Sequence, residues 1–168
     1  MNDGEFVVDI LDKNGSVIDK KLRKDIVKGT DIYHAVYGVI VTSSSDLVIS
    51  VIGNPKGLPN LHAGKIGCTC ATIRRTDETA DQAIKRASLK ELQIDVEPRL
   101  ISEVLIDIDN TKRLVGFYVI DSDMPSRYNK EDIEELRIFS ELEFVALLKN
   151  ESEKITPPLK HFWSKYKK

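Results

Sequence analysis

At Glu78 the hydrophobic period of the chain changes, and that change limits the folds open to it. Before it, apolar residues come in short β-branched and aromatic runs broken by turn signals. From it, in ETADQAIKRASLKELQIDV (78–96), Ala80, Ala83, Ile84, Ala87, then Glu91 and Leu92, recur at three- and four-residue steps with Lys and Asp between them. That spacing predicts an amphipathic helix capped near Thr76 or Asp77. After Pro98 strand-like runs return, and two helical segments close the chain. The order strands, helix, strands, helices predicts an α+β fold, an α/β/α sandwich with a mixed sheet between helical layers. At 168 residues, 41% of them hydrophobic, the chain can bury one core but not two, so residues 1–168 are expected to form a single domain.

Individual stretches refine this reading. EFVVDILDKNGSVIDKKL sets two apolar runs around Asn14-Gly15, a strong hairpin signal. YHAVYGVIVTSSSDLVISVIG repeats the arrangement around Ser43-Ser44-Ser45-Asp46 and predicts a second strand pair. NPKGLPNLHAGK, with Pro55, Gly57, Pro59 and Gly64, reads as an exposed loop of the kind that rims binding sites. RLISEVLIDID and KRLVGFYVIDSD predict two strands about a turn at 109–112, and a short strand follows at 136–139. Ser140, with Glu143 three residues on, forms a capping-box signature, and Pro157-Pro158 starts a last helix carrying Leu159, Phe162, Trp163 and Tyr166.

A formal net charge of -2 gives no general electrostatic reason to expect nucleic acid, although Lys165, Lys167 and Lys168 form a small basic end. No apolar run approaches the roughly 20 residues needed to span a bilayer, and MNDGEFVVDI lacks the order of a secretion signal. A cytoplasmic protein without nucleic-acid or membrane partners is expected. Cys68 and Cys70 are too close for an easy disulfide in one strand and too few for a structural zinc site, which predicts reduced thiols.

Helical spacing places the side chains of residues 87, 90 and 91 on one face. Here the chain resembles the Nudix superfamily, whose signature is Gly, five residues, Glu, seven residues, then Arg-Glu-aliphatic-x-Glu-Glu-x-Gly-aliphatic. With Glu78 on the first Glu, Arg86 falls on the Arg, Glu91 on the last Glu and Ile94 on the final aliphatic. Thr72, Ala87, Ser88, Lys90 and Gln93 depart from it. The resemblance runs from about residue 5 to 166 and looks most like the isopentenyl-diphosphate-isomerase-like branch, through FVVDILDKNGSVI, YHAVYGVIV, IEELRIFSELEFVALL and ITPPLKHFW.

The resemblance implies a pocket for a small-molecule diphosphate ligand and, in ordinary members, a carboxylate cage for Mg²⁺ or Mn²⁺ on that helical face. This chain offers Ala87, Lys90 and Glu91 instead. A lysine ammonium about 5 Å from a divalent ion repels it by about 2 to 7 kcal/mol. The expectation is therefore a Nudix-like protein that binds a diphosphate-containing metabolite with impaired or absent catalysis. A first alternative is a Mg²⁺-dependent pyrophosphohydrolase of nucleoside-diphosphate compounds, with Glu78 and Glu91 as weak metal ligands and Glu78, Arg86 and Glu91 as catalytic residues. A second is an isomerase-like enzyme, implied by Cys70 in CTCAT and by His34, but Thr72 stands where that family has a histidine and 112–114 carries no acid. His34, Lys56, Cys70 and Arg74 are the expected substrate-binding residues, with Lys65 and Arg75 flanking. Plainer roles are also open: His34 packed in the fold, Cys70 a buried apolar group, Arg86 tied to Glu78 or to loop carbonyls, Glu91 paired with Lys90 or Arg86. EDIEEL is either a solvated acidic turn or the source of a replacement base. Dimers are common among related folds, and a homodimer is an open expectation with no stripe marking its interface.

Overall fold

A computed structural model describes residues 5–54 and 61–167 of the chain. Its organising element is β3 (Ile32–Val41), whose sequence IYHAVYGVIV is apolar at almost every position, as suits a strand covered on both faces. Along one edge it runs parallel to β8 (Thr111–Asp121), from Ile32 opposite Lys112 to Val41 opposite Asp121. Three antiparallel partners share the other edge. β1 (Val7–Leu11) meets Ile32, β6 (Cys70–Ile73) pairs with residues 35–38, and β4 (Leu47–Ile52) pairs with Ile40 and Val41. β2 (Val17–Leu22) completes the first hairpin and β7 (Pro98–Ile108) pairs with β8, while β5 (Ile66–Gly67) and β9 (Ile133–Phe139) flank β4. Together they make a mixed sheet of nine strands.

Alternation along β3 sorts its side chains into two cores. Ala35, Val39 and Val41 pack with Phe144, Leu159 and Phe162 from α2 (Glu141–Asn150) and α3 (Pro157–Tyr166). Val36 and Ile40, on the opposite face, pack with Ala83, Ile84 and Ala87 of α1 (Ala80–Ala87). This is the expected sandwich. Phe117, Phe144 and Phe162 are sealed from solvent, and full burial of such a side chain contributes about 2–3 kcal/mol. Gly38 matters for the opposite layer. A Cβ there would lie 2.9 Å from Ile120 Cδ1 and 3.1 Å from Ile84 Cδ1, so the missing side chain lets α1 close onto β3.

Three boundaries differ from the sequence-based expectation. The cap of α1 is Thr79, because its hydroxyl accepts from Gln82 N at 3.1 Å and Gln82 Oε1 accepts from Thr79 N at 2.8 Å. The expected cap Thr76 instead donates its hydroxyl to Asp9. The turn between β7 and β8 contains only Asp109 and Asn110, with φ of 53° and 63°, the left-handed pair that a tight hairpin needs. Strand β9 begins at Ile133 rather than 136, because Ile133 and Leu136 both bury in the core beneath α1. The expected loop beyond Asn54 falls largely on residues 55–60, outside the described residues, as does Lys56. Among the described residues, no helix is long and apolar enough to cross a membrane.

The helix does not end at Ala87 but widens into a π-helical segment, Ser88–Leu92. Ser88 donates its hydroxyl to Ile84 O at 2.9 Å, a side-chain bond that competes with the backbone ladder where the pitch changes. The segment stops at Gln93, whose φ of 56° is left-handed. Glycine holds such a helix-terminating position without strain. Gln93→Gly should therefore raise the unfolding free energy by about 0.5–1 kcal/mol in urea titrations; a loss of stability would mean that the Gln93 side chain makes a contact outweighing its backbone strain.

Candidate functional site

The loop from β6 into α1 is braced by the guanidinium of Arg86. Arg86 donates from Nη2 to Glu78 Oε1 at 2.6 Å and from Nε to Glu78 Oε2 at 3.1 Å. Its remaining donors reach Ile73 O at 3.0 Å and Thr72 Oγ1 at 3.3 Å. The planar fork of arginine suits this bidentate geometry, and lysine would not replace it. Glu78 Oε1 also accepts from Arg75 N at 2.9 Å, so both carboxylate oxygens are engaged. Glu78 is thereby fully used in shaping the loop and does not line either cavity described below.

Beside this loop lies a cavity of about 490 Å³. Tyr33, Ala35 and Tyr37 of β3 form its floor, residues 71–73 of β6 one wall, and Ala87, Lys90 and Glu91 the wall supplied by the helix. The helical face expected from spacing does look into a cavity, even though the pitch widens between its residues. A second chamber of about 270 Å³ adjoins it, and Tyr37, Ala71, Glu91, Arg113 and Asp132 border both. This chamber is also bordered by His62, Cys68 and Thr156. A 2.5 Å contact joins His62 Nε2 to Asp109 Oδ2 of the β7–β8 turn.

Of Glu78 and Glu91, only Glu91 lies on the cavity wall. Its Oε2 accepts from Ala71 N at 3.2 Å, and it forms an ion pair with neither Lys90 nor Arg86. Burial pushes its carboxyl up to about 8, with the nearby Asp132 carboxylate acting in the same direction. The Ala71 amide and the charges of Lys90 and Arg86 pull the other way and do not prevail. Asp132 is held by Asn129, whose Nδ2 donates to Asp132 Oδ2 at 2.9 Å and whose backbone N donates to Glu91 O at 2.7 Å. The acidic EDIEEL segment therefore does more than form a solvated turn: Asn129 ties it to the helix, and Asp132 brings a carboxylate to the wall.

The other expected site residues part company. His34 lies on the α1 face of β3, opposite the cavity floor. A guanidinium can only donate, so the 3.4 Å contact from Arg74 Nη1 makes His34 Nδ1 the acceptor and leaves the hydrogen on Nε2, 3.5 Å from Glu103 Oε2. Burial, aided by the Arg74 charge, lowers His34 to about 4, so it is neutral at ordinary pH. Arg74 is turned to the same side and donates from Nε to Glu78 O at 2.6 Å. Cys70 touches the chamber wall, but its Sγ sits in the core 3.6 Å from Ser88 Oγ, and burial raises both cysteine thiols far above their ordinary range. Neither is an activated nucleophile. Both thiols are free, as their spacing implied.

A divalent-metal cluster does not fit this donor set. Glu78 is consumed by Arg86, Glu91 resists ionisation, and Lys90 brings a positive charge to the same wall. Among the described residues, no three His, Cys, Asp or Glu side chains come together to hold a metal ion. Instead the cavity gathers cations that the sequence reading passed over, Arg23 and Arg113, together with Arg75. Arg113 was legible in principle, since alternation puts it on the same side of β8 as Val115 and Phe117.

Glu91 offers a direct check on this electrostatic arrangement. A carboxyl raised from an ordinary 4.5 to about 8 favours the folded state below pH 4.5, and that contribution disappears as pH rises through 8. Glu91→Gln should match the wild type near pH 4.5, then become progressively more stable than it up to pH 8, by at least about 1 kcal/mol. Thermal melts across that range check this, and parallel curves would show that Glu91 is solvated.

No protein-family model matches the sequence, and no curated protein sequence matches it. Solved structures do. DR0079 from Deinococcus radiodurans superposes with a TM-score of 0.78 at 16% identity, over 95% of this chain and 99% of that one. A MutT protein from Methanosarcina mazei Go1 gives 0.61 at 16% identity, over 81% of this chain and 93% of that one. A Nudix hydrolase from Nitrosomonas europaea gives 0.61 at 18% identity, over 81% and 87%. At such identities the agreement is one of architecture, and the mixed sheet between helical layers, with a loop–helix–loop beside the cavity, is the α+β Nudix fold.

Proposed function

We propose that the protein binds a diphosphate-containing metabolite in the paired cavities and does not turn it over as an ordinary Nudix hydrolase does. The observation that supports this reading is the wall formed by Ala87, Lys90 and Glu91, which faces the cavity with one reluctant carboxylate where a metal cage needs several. The ligand's phosphates would meet Lys90 and Arg113 directly, and its organic group would enter the adjoining chamber, bordered by Ile52, Ile108, Ile133 and Pro158. Charge-assisted bonds to phosphate are strong enough to hold such a ligand without a cation between.

A second reading, a Mg²⁺-dependent pyrophosphohydrolase, draws on Asp132, which meets Glu91 on the wall shared by both chambers. The isomerase-like reading has less support, because His34 and the Cys70 thiol face away from the cavity. Calorimetry and phosphate-release assays with nucleoside-diphosphate compounds separate the first two readings. The wild type is expected to bind them, to show no saturable Mn²⁺ uptake at millimolar concentration and to release no phosphate above the uncatalysed rate. Saturable Mn²⁺ uptake with turnover that Glu91→Gln abolishes would establish the hydrolase instead. Ala87→Glu combined with Lys90→Glu should create measurable Mn²⁺ affinity by restoring carboxylates to that wall; no gain would mean that these positions do not form the cage.

A further inference from the structure

The part of the cavity around Phe6 and Tyr33 is built differently from the rest. Phe6 and Tyr33 are buried in one apolar cluster with Val8, and partly buried Ile73 packs against it. Their rings carry three guanidinium groups. The Arg75 carbon centre lies 4.9 Å from the centroid of Phe6, that of Arg23 lies 5.8 Å from the same ring, and that of Arg113 lies 5.6 Å from the ring of Tyr33. Arg113 is further oriented by donating to Tyr37 Oη at 2.6 Å and to Thr111 Oγ1 at 2.8 Å.

None of these three is ion-paired among the described residues, although Glu91 and Asp132 border the same cavity. Among the described residues, no carboxylate lies within ion-pair distance of Arg23, Arg75 or Arg113, whereas Arg86 and Arg137 each have one. Three like charges bordering one cavity repel each other unless an anion joins them. Stacking on aromatic rings orders the guanidinium groups in advance, so less side-chain freedom is lost when a ligand arrives. The forks of Arg23 and Arg75 can each take two oxygens of one phosphate, a geometry that lysine cannot provide, while Arg113 keeps its Nη2 donors. Lys90 on the wall of the same cavity adds positive charge, which favours a phosphate chain and opposes a cation beside it.

We propose that the Phe6–Tyr33 platform is a metal-independent site for the terminal phosphates of a ligand carrying a chain of three or more phosphates. This rests on the reading of the cavity as a phosphate-binding site and specifies which phosphate compounds it selects. A diphosphate reaches Lys90 and Arg113; a longer chain also engages Arg23 and Arg75. No bond is made or broken in this step, and no metal takes part in it.

Isothermal titration of the full chain in EDTA with inorganic pyrophosphate and tripolyphosphate tests the proposal. Tripolyphosphate should bind at least about tenfold more tightly than pyrophosphate, the gain expected of one or two additional charge-assisted contacts. Arg23→Gln and Arg75→Gln should each reduce that ratio severalfold, and Arg75→Lys, which keeps the charge and loses the fork, should fall between. Arg137→Gln, on β9 and paired with Glu135, should change neither affinity. Circular dichroism melts identify any variant that fails to fold, in which case Arg75→Lys carries the test. Equal affinities in the wild type, a requirement for Mg²⁺, or a ratio that persists in Arg23→Gln and Arg75→Gln overturns the platform. Pyrophosphate or nucleoside-diphosphate binding without a tripolyphosphate preference overturns the platform alone and leaves the diphosphate reading intact. Binding of none of these compounds overturns both.

Discussion

The Arg86 guanidinium joins three pieces of chain that must stay together for a cavity to exist: the end of β6, the loop after it and the helix that follows. Its two bonds to Glu78 and its bonds to Ile73 O and Thr72 Oγ1 hold the loop in one shape. An arginine on a helix can span that distance and still present a planar fork, which no other cation does. The same arrangement has a chemical consequence. Because Glu78 is occupied in holding the loop, Glu91 alone of the two lies on the cavity wall, where burial pushes its carboxyl up to about 8. The rigidity of the frame and the absence of Glu78 from the cavity wall thus share one cause.

Charge elsewhere in the cavity follows the same logic in the opposite sense. This chain places Lys90 on the helix and Arg23, Arg75 and Arg113 around two aromatic rings. A phosphate chain needs its negative charge compensated, and guanidinium groups compensate it as directly as a divalent ion can. They do not, however, lower the pKa of a bound water, the function that makes a metal site hydrolytic. Binding and turnover therefore rest on different groups, and a cavity can carry the first without the second.

Much of the architecture was legible because it rests on local patterns. Asn14-Gly15 between apolar runs forms a hairpin wherever it is placed, and Ser140 with Glu143 caps a helix through bonds three residues apart. The cap of α1 was misjudged because Thr76, Asp77 and Thr79 are all competent caps. The choice fell to Thr79 once Gln82 could close the box and Asp9, from a distant strand, had taken Thr76. The π-helical segment had no sequence signal at all: it depends on where Ser88 packs. His34 and Cys70 are expected at the site by resemblance, and Arg74 by its place beside the helix. Strand parity turns His34 and the Cys70 thiol to the opposite face, and no motif can state which face of β3 lies over the cavity.

By itself the sequence determined the alternation of strands and helices, the shared face of residues 87, 90 and 91, and the shortage of acid on it, since each depends only on spacing and residue type. The tertiary structure decided what that face meets. It brought Asp132 from beyond β8 to Glu91, assigned Glu78 to Arg86, and assembled Phe6, Arg23, Tyr33, Arg75 and Arg113 from separate segments around one cavity. These juxtapositions join residues far apart along the chain. Burial and charge act through space, so the protonation of Glu91 and the concentration of positive charge exist only once the sheet has closed.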